Sequence, residues 1–192
     1  EVEQMKSAPS VEEVRRIYDK KWLSEGFTSQ EDEEKQKEEV WEWFEKYLKE
    51  VALNPFKPAF STELYFQFPI AGKVVFNGFI DRLDKLENGK YEIIDYKTED
   101  SIREQSEVDT DDQLPAYYWA ADKLGMEAEK LSLHFVRFQK NVSTSRKLEE
   151  AKEFEKDVLE WYEKIQKEKE FPAKKNKYCK NCDFRGDCPQ FR

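Results

Sequence analysis

A mixed, mainly antiparallel sheet flanked by helices is the α/β fold that the sequence predicts, on three observations. Apolar residues recur at helical spacing before residue 58 and again after residue 148, whereas residues 61–97 alternate with the two-residue period of strands. Within the strand region, Asn88-Gly89 is the strongest short hairpin signal and joins two consecutive strands. At 192 residues the chain has the length of a single domain with a sizeable core. Because 38% of residues are hydrophobic and 15% are aromatic, much of that core must be Phe, Tyr and Trp.

The elements follow in order. Residues 11–23 place Val11, Val14, Ile17, Tyr18 and Trp22 on one helical stripe, and Ser10 with Glu13 forms a capping-box pattern at its start. Residues 29–51 make a longer helix, its stripe running through Val40, Trp41, Phe44, Tyr47, Leu48 and Val51. The segment LNPFKP ends it, because proline cannot continue a helix. STELYFQFPI then alternates Leu64, Phe66 and Phe68 against Glu63, Tyr65 and Gln67, the signature of a strand. AGK turns the chain into VVFNGFIDRLDKL, and ENGK turns it again into YEIIDYK, so three strands form an antiparallel meander. A helix follows in DTDDQLPAYYWAADKLG, with Pro115 tolerated near its start and Gly125 at its end. KLSLHFVRFQ is a fourth strand, residues 148–169 are a last long helix, and the remainder is an irregular tail. Three regions result: helical residues 1–58, a core over 59–170, and a cysteine-containing tail over 171–192.

Charge narrows the function. The net charge of −9 opposes wholesale coating of nucleic acid. The charge is uneven: residues 25–50 hold ten acids against four bases, and residues 164–192 hold nine bases against four acids. The acidic stretch reads as a solvated helix face. No apolar run approaches the roughly 20 residues that span a bilayer, and no charged-then-apolar leader opens the chain, so the expected location is cytoplasmic and no membrane partner is expected.

Four charges stand out in the apolar strands: Asp81, Asp84, Asp95 and Lys97. Residues two apart in a strand share a face, so Asp95 and Lys97 point the same way, and Asp81 on the preceding strand approaches the same place. Two carboxylates beside an ammonium make a sensible site for Mg²⁺ or Mn²⁺, which take hard oxygen ligands and keep coordination positions for substrate phosphates. The backbone carbonyl of Tyr96 adds a potential ligand. The same spacing also fits ordinary strand-end carboxylates ion-paired with Lys97.

Asp81 in GFIDRLD, Asp95 and Lys97 in IIDYKT, and QLPAYYWA from Gln113 together resemble the RecB-type branch of the PD-(D/E)XK nuclease superfamily, which includes the RecB and AddAB nuclease domains and CRISPR-associated exonucleases. The likeness runs from about Phe60 to the C-terminus. It implies a restriction-endonuclease-like core and metal-dependent hydrolysis of phosphodiester bonds in DNA that is single-stranded or has ends. By the same resemblance Asp81 and Asp95 are metal ligands, Lys97 is the catalytic lysine, and Gln113 and Tyr117 form the extra helical motif beside them. Glu63 matches an additional acidic position. The family also implies a role in DNA repair or recombination beside a helicase domain or subunit. Gln113, Tyr117 and Ala121 fall on one helical stripe, which agrees with a shared role and equally with aromatic packing.

Cys179, Cys182 and Cys188, spaced C-x2-C-x5-C, imply metal more than a disulfide in such a chain. Zinc and a four-iron, four-sulfur cluster each need four ligands, and only three thiols are present. Iron–sulfur members of the branch supply the first cysteine, and a metal-binding His, from an upstream helix. Here the one histidine, His134, lies in an apolar strand and reads as a core or strand-surface residue. Either the sequence begins after that segment, which the absence of an initial Met favours, or the cluster and metal site are incomplete. With the first helix missing, the surface it covered is expected to be an exposed apolar patch or to be filled by another chain. Two alternatives to an enzyme follow: a catalytically incomplete module that binds DNA or a helicase partner, and an acidic interaction domain using its long helices.

Overall fold

The structure, a computed structural model, describes residues 8–53 and 57–191. Helix α1 spans Val11–Lys21 and α2 spans Gln30–Leu53. The capping box is present: the Ser10 hydroxyl accepts the N–H of Glu13, whose carboxylate accepts the N–H of Ser10 at 2.8 Å. No residue of α1 is buried. It is held to α2 by the Arg15–Glu38 ion pair at 2.7 Å, by the Tyr18 hydroxyl donating to the carbonyl of Lys37 at 2.6 Å, and by Tyr18 packing on Trp41 and Phe44. The expected stop at Asn54 and Pro55 lies outside the described residues.

Strands β1 (Ser61–Ile70), β2 (Val74–Lys85) and β3 (Tyr91–Lys97) form the expected antiparallel meander. The first turn places both Ala71 and Gly72 at positive φ and closes with Lys73 N–H on the carbonyl of Ile70, as a tight hairpin requires. Strand β4 (Ala128–Phe135) joins parallel to β3, and β5 (Lys140–Thr144) pairs antiparallel beyond it, giving the order β1-β2-β3-β4-β5. Between β3 and β4 the chain makes α3 (Gln105–Asp109) and α4 (Gln113–Lys123), the crossover a parallel pair needs. Helix α5 is Leu148–Lys167.

Three of these elements depart from the sequence expectation. The fourth strand does not run to Gln139: it ends at Phe135 and turns back into β5, with Gln139 at positive φ. Neither β5 nor α3 carries a periodic signal, because each is five residues long and mostly polar.

One face of the sheet is the core. Ile93, Leu131, Leu133 and Phe135 are fully buried there with Leu114, Trp119, Ala120 and Ala121 of α4. Trp119 meets Phe68 and Phe76 edge-on and Phe154 at a tilt, so the β1–β2 hairpin, α4 and α5 close on one aromatic cluster. The Phe66 ring lies over Gly78, its cross-strand partner, where an added Cβ would sit 2.8 Å from the ring tip.

The chain divides into two compact units, residues up to Glu155 and residues from Lys156 onward. The second contains the end of α5 and the tail, in which Lys177–Asn181 form a short 3₁₀ turn capped by the Asn176 side chain. None of the helices is long and apolar enough to cross a membrane.

Candidate active site

Strand β2 changes sides where its carboxylate begins. Up to Ile80 the even-numbered residues face the core, yet beyond it Leu83 is the buried one, so the inward parity reverses around Asp81 and Arg82. On β1, Glu63 falls opposite Asp81 in the register and takes positive φ, the local twist that accompanies the reversal. Pairing between β2 and β3 ends at Arg82 and Ile94. Past that point the strands part. The backbone N–H of Tyr96 then donates to Asp81 Oδ2 at 2.9 Å, so a side chain completes what the ladder leaves open.

Asp95 and Lys97 stand on the core face, opposite Leu133 and Phe135 of β4. Asp95 is only 3% exposed. Its Oδ2 lies 2.6 Å from Lys97 Nζ in an ion pair whose angle is not that of a hydrogen bond. Lys97 Nζ donates to Gln113 Oε1 at 2.7 Å, Gln113 Nε2 donates to the Tyr117 hydroxyl at 2.6 Å, and Tyr117 donates to Asp95 Oδ1 at 3.0 Å. The four side chains therefore form a closed circuit across β3 and the first two turns of α4.

The electrostatics follow from that burial. Loss of solvent raises the Asp95 pKa above its ordinary 3.8, and the Asp81 charge raises it further, against the opposing pull of Lys97 and Tyr117. Burial, with the Asp95 charge, pushes the Tyr117 phenol far up, so it stays a donor. Gln113 is placed by Asp111, whose Oδ1 accepts the N–H groups of Gln113 and Leu114 at 2.8 and 3.0 Å. Asp111 is in turn paired with Arg103 at 2.7 Å, and Arg103 with Glu99. Sequence reasoning missed this support. An Asp two residues before a helix was the available sign.

The remaining candidates lie elsewhere. Glu63 is exposed. The Tyr96 side chain points to the opposite face of the sheet from Asp95, where its ring meets His134 edge-on; only its backbone belongs to the site. His134 is buried, with Nδ1 2.6 Å from Asn141 Oδ1, in keeping with a structural strand residue. An apolar cavity of about 450 Å³ opens beside it under α2, lined by Trp43, Phe44, Tyr47 and Tyr96. Cys179, Cys182 and Cys188 are free thiols. Among the described residues no three His, Cys, Asp or Glu side chains gather into a metal-holding group. Among the described residues the three cysteines gather with no fourth such ligand, and a cation at Asp81 and Asp95 would need its other ligands from backbone, water and substrate. Mg²⁺ is commonly held that way, by one or two carboxylates, and a buried carboxylate repelled by a second one suits a cation.

A sheet of three antiparallel strands with a parallel fourth, flanked by helices, is consistent with the restriction-endonuclease-like core of the PD-(D/E)XK class. The chain belongs to the PD-(D/E)XK nuclease superfamily, whose sequence profile matches residues 2–189. Among solved structures it is similar to the crystal structure of SSO0001, at 23% identity over 79% of this chain and 69% of that one, with a TM-score of 0.47. No curated protein matches it.

Proposed function

We propose that this chain is a Mg²⁺- or Mn²⁺-dependent deoxyribonuclease of the RecB-like branch, acting on DNA with ends. The reading is carried by one observation: a buried aspartate paired with a lysine that a helical glutamine holds from the far side. Asp81, Asp95 and the carbonyl of Tyr96 would hold the ion. When bound, it polarises the phosphoryl oxygen and makes a water acidic enough to attack.

The residues of the chain supply the rest. Lys97, as an ammonium, donates to the attacking water or to a non-bridging oxygen and stabilises the charge that builds on phosphorus. Gln113 fixes the ammonium, and Tyr117 holds Asp95 at the correct rotation. By the family resemblance Glu63 would support the substrate side of the site. The family resemblance adds a helicase domain or subunit as partner.

Incubation with end-labelled single-stranded DNA and Mn²⁺ tests this reading. Wild-type protein should cleave, and Asp95→Ala and Lys97→Ala should each lower the rate at least about 100-fold, the scale of losing a charge-stabilising group. Equal cleavage by all three proteins would reject it. That no three His, Cys, Asp or Glu side chains gather there among the described residues favours a second reading, a module that binds DNA without cutting it. Binding with no cleavage at any metal concentration would select that one.

A further inference from the structure

Behind the candidate site, on the face of the sheet away from Asp95 and Lys97, the strands carry a second polar cluster. Arg82 of β2 forms a bidentate pair there with Asp84, Nε donating to Oδ1 at 2.8 Å and Nη2 to Oδ2 at 2.9 Å. The remaining nitrogen, Nη1, donates to the Tyr47 hydroxyl of α2 at 3.0 Å and to the Tyr96 hydroxyl of β3 at 3.4 Å. His134 of β4 meets both phenol rings edge-on, with centroids 5.9 and 5.5 Å away. One guanidinium thus ties β2 to β3 and to α2. Its side chain is 19% exposed, so the tie is largely shielded from water.

The position of this tie decides what it does. Ladder pairing between β2 and β3 stops at Arg82 and Ile94, so the pleat alone does not fix the strands beyond them. Two links cross the gap at Tyr96. From the front its N–H donates to Asp81 Oδ2 at 2.9 Å, and from the back its hydroxyl accepts from Arg82. Asp81 and Arg82 are neighbours in sequence, as are Asp95, Tyr96 and Lys97, so the front and back links move together. A turn of the Tyr96 backbone would draw its N–H off Asp81 and re-aim the flanking Asp95 and Lys97. Anchorage of the Tyr96 ring behind the sheet resists that turn.

We propose that Arg82 is a positioning residue: gripping Tyr96 from behind the sheet, it maintains the spacing of Asp81 and Asp95 and with it the affinity of the site for a divalent ion. The proposal rests on the nuclease reading for the ion, and it adds to that site residues whose side chains touch neither ion nor DNA. Arginine suits the task because its planar fork serves Asp84 with two nitrogens while a third reaches the phenols. The single ammonium of lysine cannot do both.

Amide hydrogen exchange in EDTA, followed residue by residue by NMR, reads the grip with no metal or substrate present. Tyr96→Phe keeps the ring and the Arg82–Asp84 pair and removes only the gripped hydroxyl. Arg82→Lys keeps a charge beside Asp84 and removes the fork. Each should speed exchange at the Tyr96 N–H about tenfold and leave Ile93 and Leu133 unchanged. Mn²⁺ affinity, read from the electron paramagnetic resonance of the free ion, should fall about tenfold in the same proteins. Cleavage lost at low Mn²⁺ should be recovered as Mn²⁺ is raised. The double variant should lose little more than Arg82→Lys alone, because both changes break one contact.

The grip is overturned if Tyr96 exchange in the folded variants matches wild type. It is also overturned if exchange rises as much at Ile93 and Leu133, which would mean general loosening, or if a measurable wild-type Mn²⁺ affinity is unchanged in both variants. The two readings separate cleanly. Quickened exchange confined to Tyr96 in a protein with neither Mn²⁺ affinity nor cleavage would keep the grip and reject the nuclease. Cleavage that needs Asp95, with Tyr96 exchange and Mn²⁺ affinity unmoved in both variants, would do the reverse.

Discussion

Asp95 holds a position that β4 fills with Leu133 on the neighbouring strand, and the surroundings set its behaviour. Its raised pKa means that the folded chain binds this proton more tightly than the unfolded chain. The group therefore favours the fold below the ordinary carboxylate value of 3.8, and that contribution is lost as pH rises through the raised value. Asp95→Asn, which mimics the protonated form, should thus gain stability over wild type across that rise in EDTA, measured as a difference in thermal midpoints against pH. Carbon-detected NMR titration gives a second check: Asp81→Asn should lower the Asp95 pKa by removing a repelling charge, and Lys97→Met should raise it. Tyr117→Phe leaves Gln113 Nε2 and Asp95 Oδ1 each short of a partner. At about 1–2 kcal/mol for such a loss, kcat should fall roughly tenfold, read in steady-state cleavage. How Asp95 and Lys97 share a face was legible from strand alternation alone. How Asp111, Arg103 and Glu99 support them was not, because these residues lie outside the helices and strands that leave a periodic trace.

At the level of elements, hydrophobic periodicity located α1, α2, the meander, α4 and α5, since each buries one side and repeats. It overran β4, because Val136 and Phe138 continue the apolar run while the reversal at Gln139 uses none of the usual turn residues. The parity reversal in β2 was also invisible. Alternation through NGFIDRLD assigns Ile80 and Leu83 to opposite faces, yet both are buried. That reversal lets a strand which packs on Trp119 at one end present Asp81 between strands at the other. Gly78 belongs to the packing end, where Phe66 covers it, and Phe66 is only 3% exposed and has little room to yield. Gly78→Val should destabilise the fold by about 1–3 kcal/mol through overpacking, measured by urea denaturation.

The whole molecule is acidic, which constrains how it meets a polyanion. Beside Lys97 the nearby cations Arg82 and Arg103 are already paired, with Asp84 and Asp111, so few counterions should leave when a strand binds. For single strands the slope of log K against log salt is about −0.7 per phosphate neutralised. Two or three such contacts give a slope of about −2 or shallower, against the much steeper dependence of a basic DNA-binding protein. A titration series between about 50 and about 300 mM salt, over which the Debye length falls from about 14 to about 6 Å, checks this directly. A steep slope would instead assign the binding to contacts with the phosphate backbone, such as the basic residues of 164–192 could make.

Lys97 has two berths, Asp95 on one side and Gln113 on the other. It can release the shared carboxylate oxygen to a stronger cation without being stranded, because the amide still holds it. In the proposed nuclease the lysine would act as a doorkeeper: yielding to the ion and turning its own charge toward an arriving phosphate would be one movement.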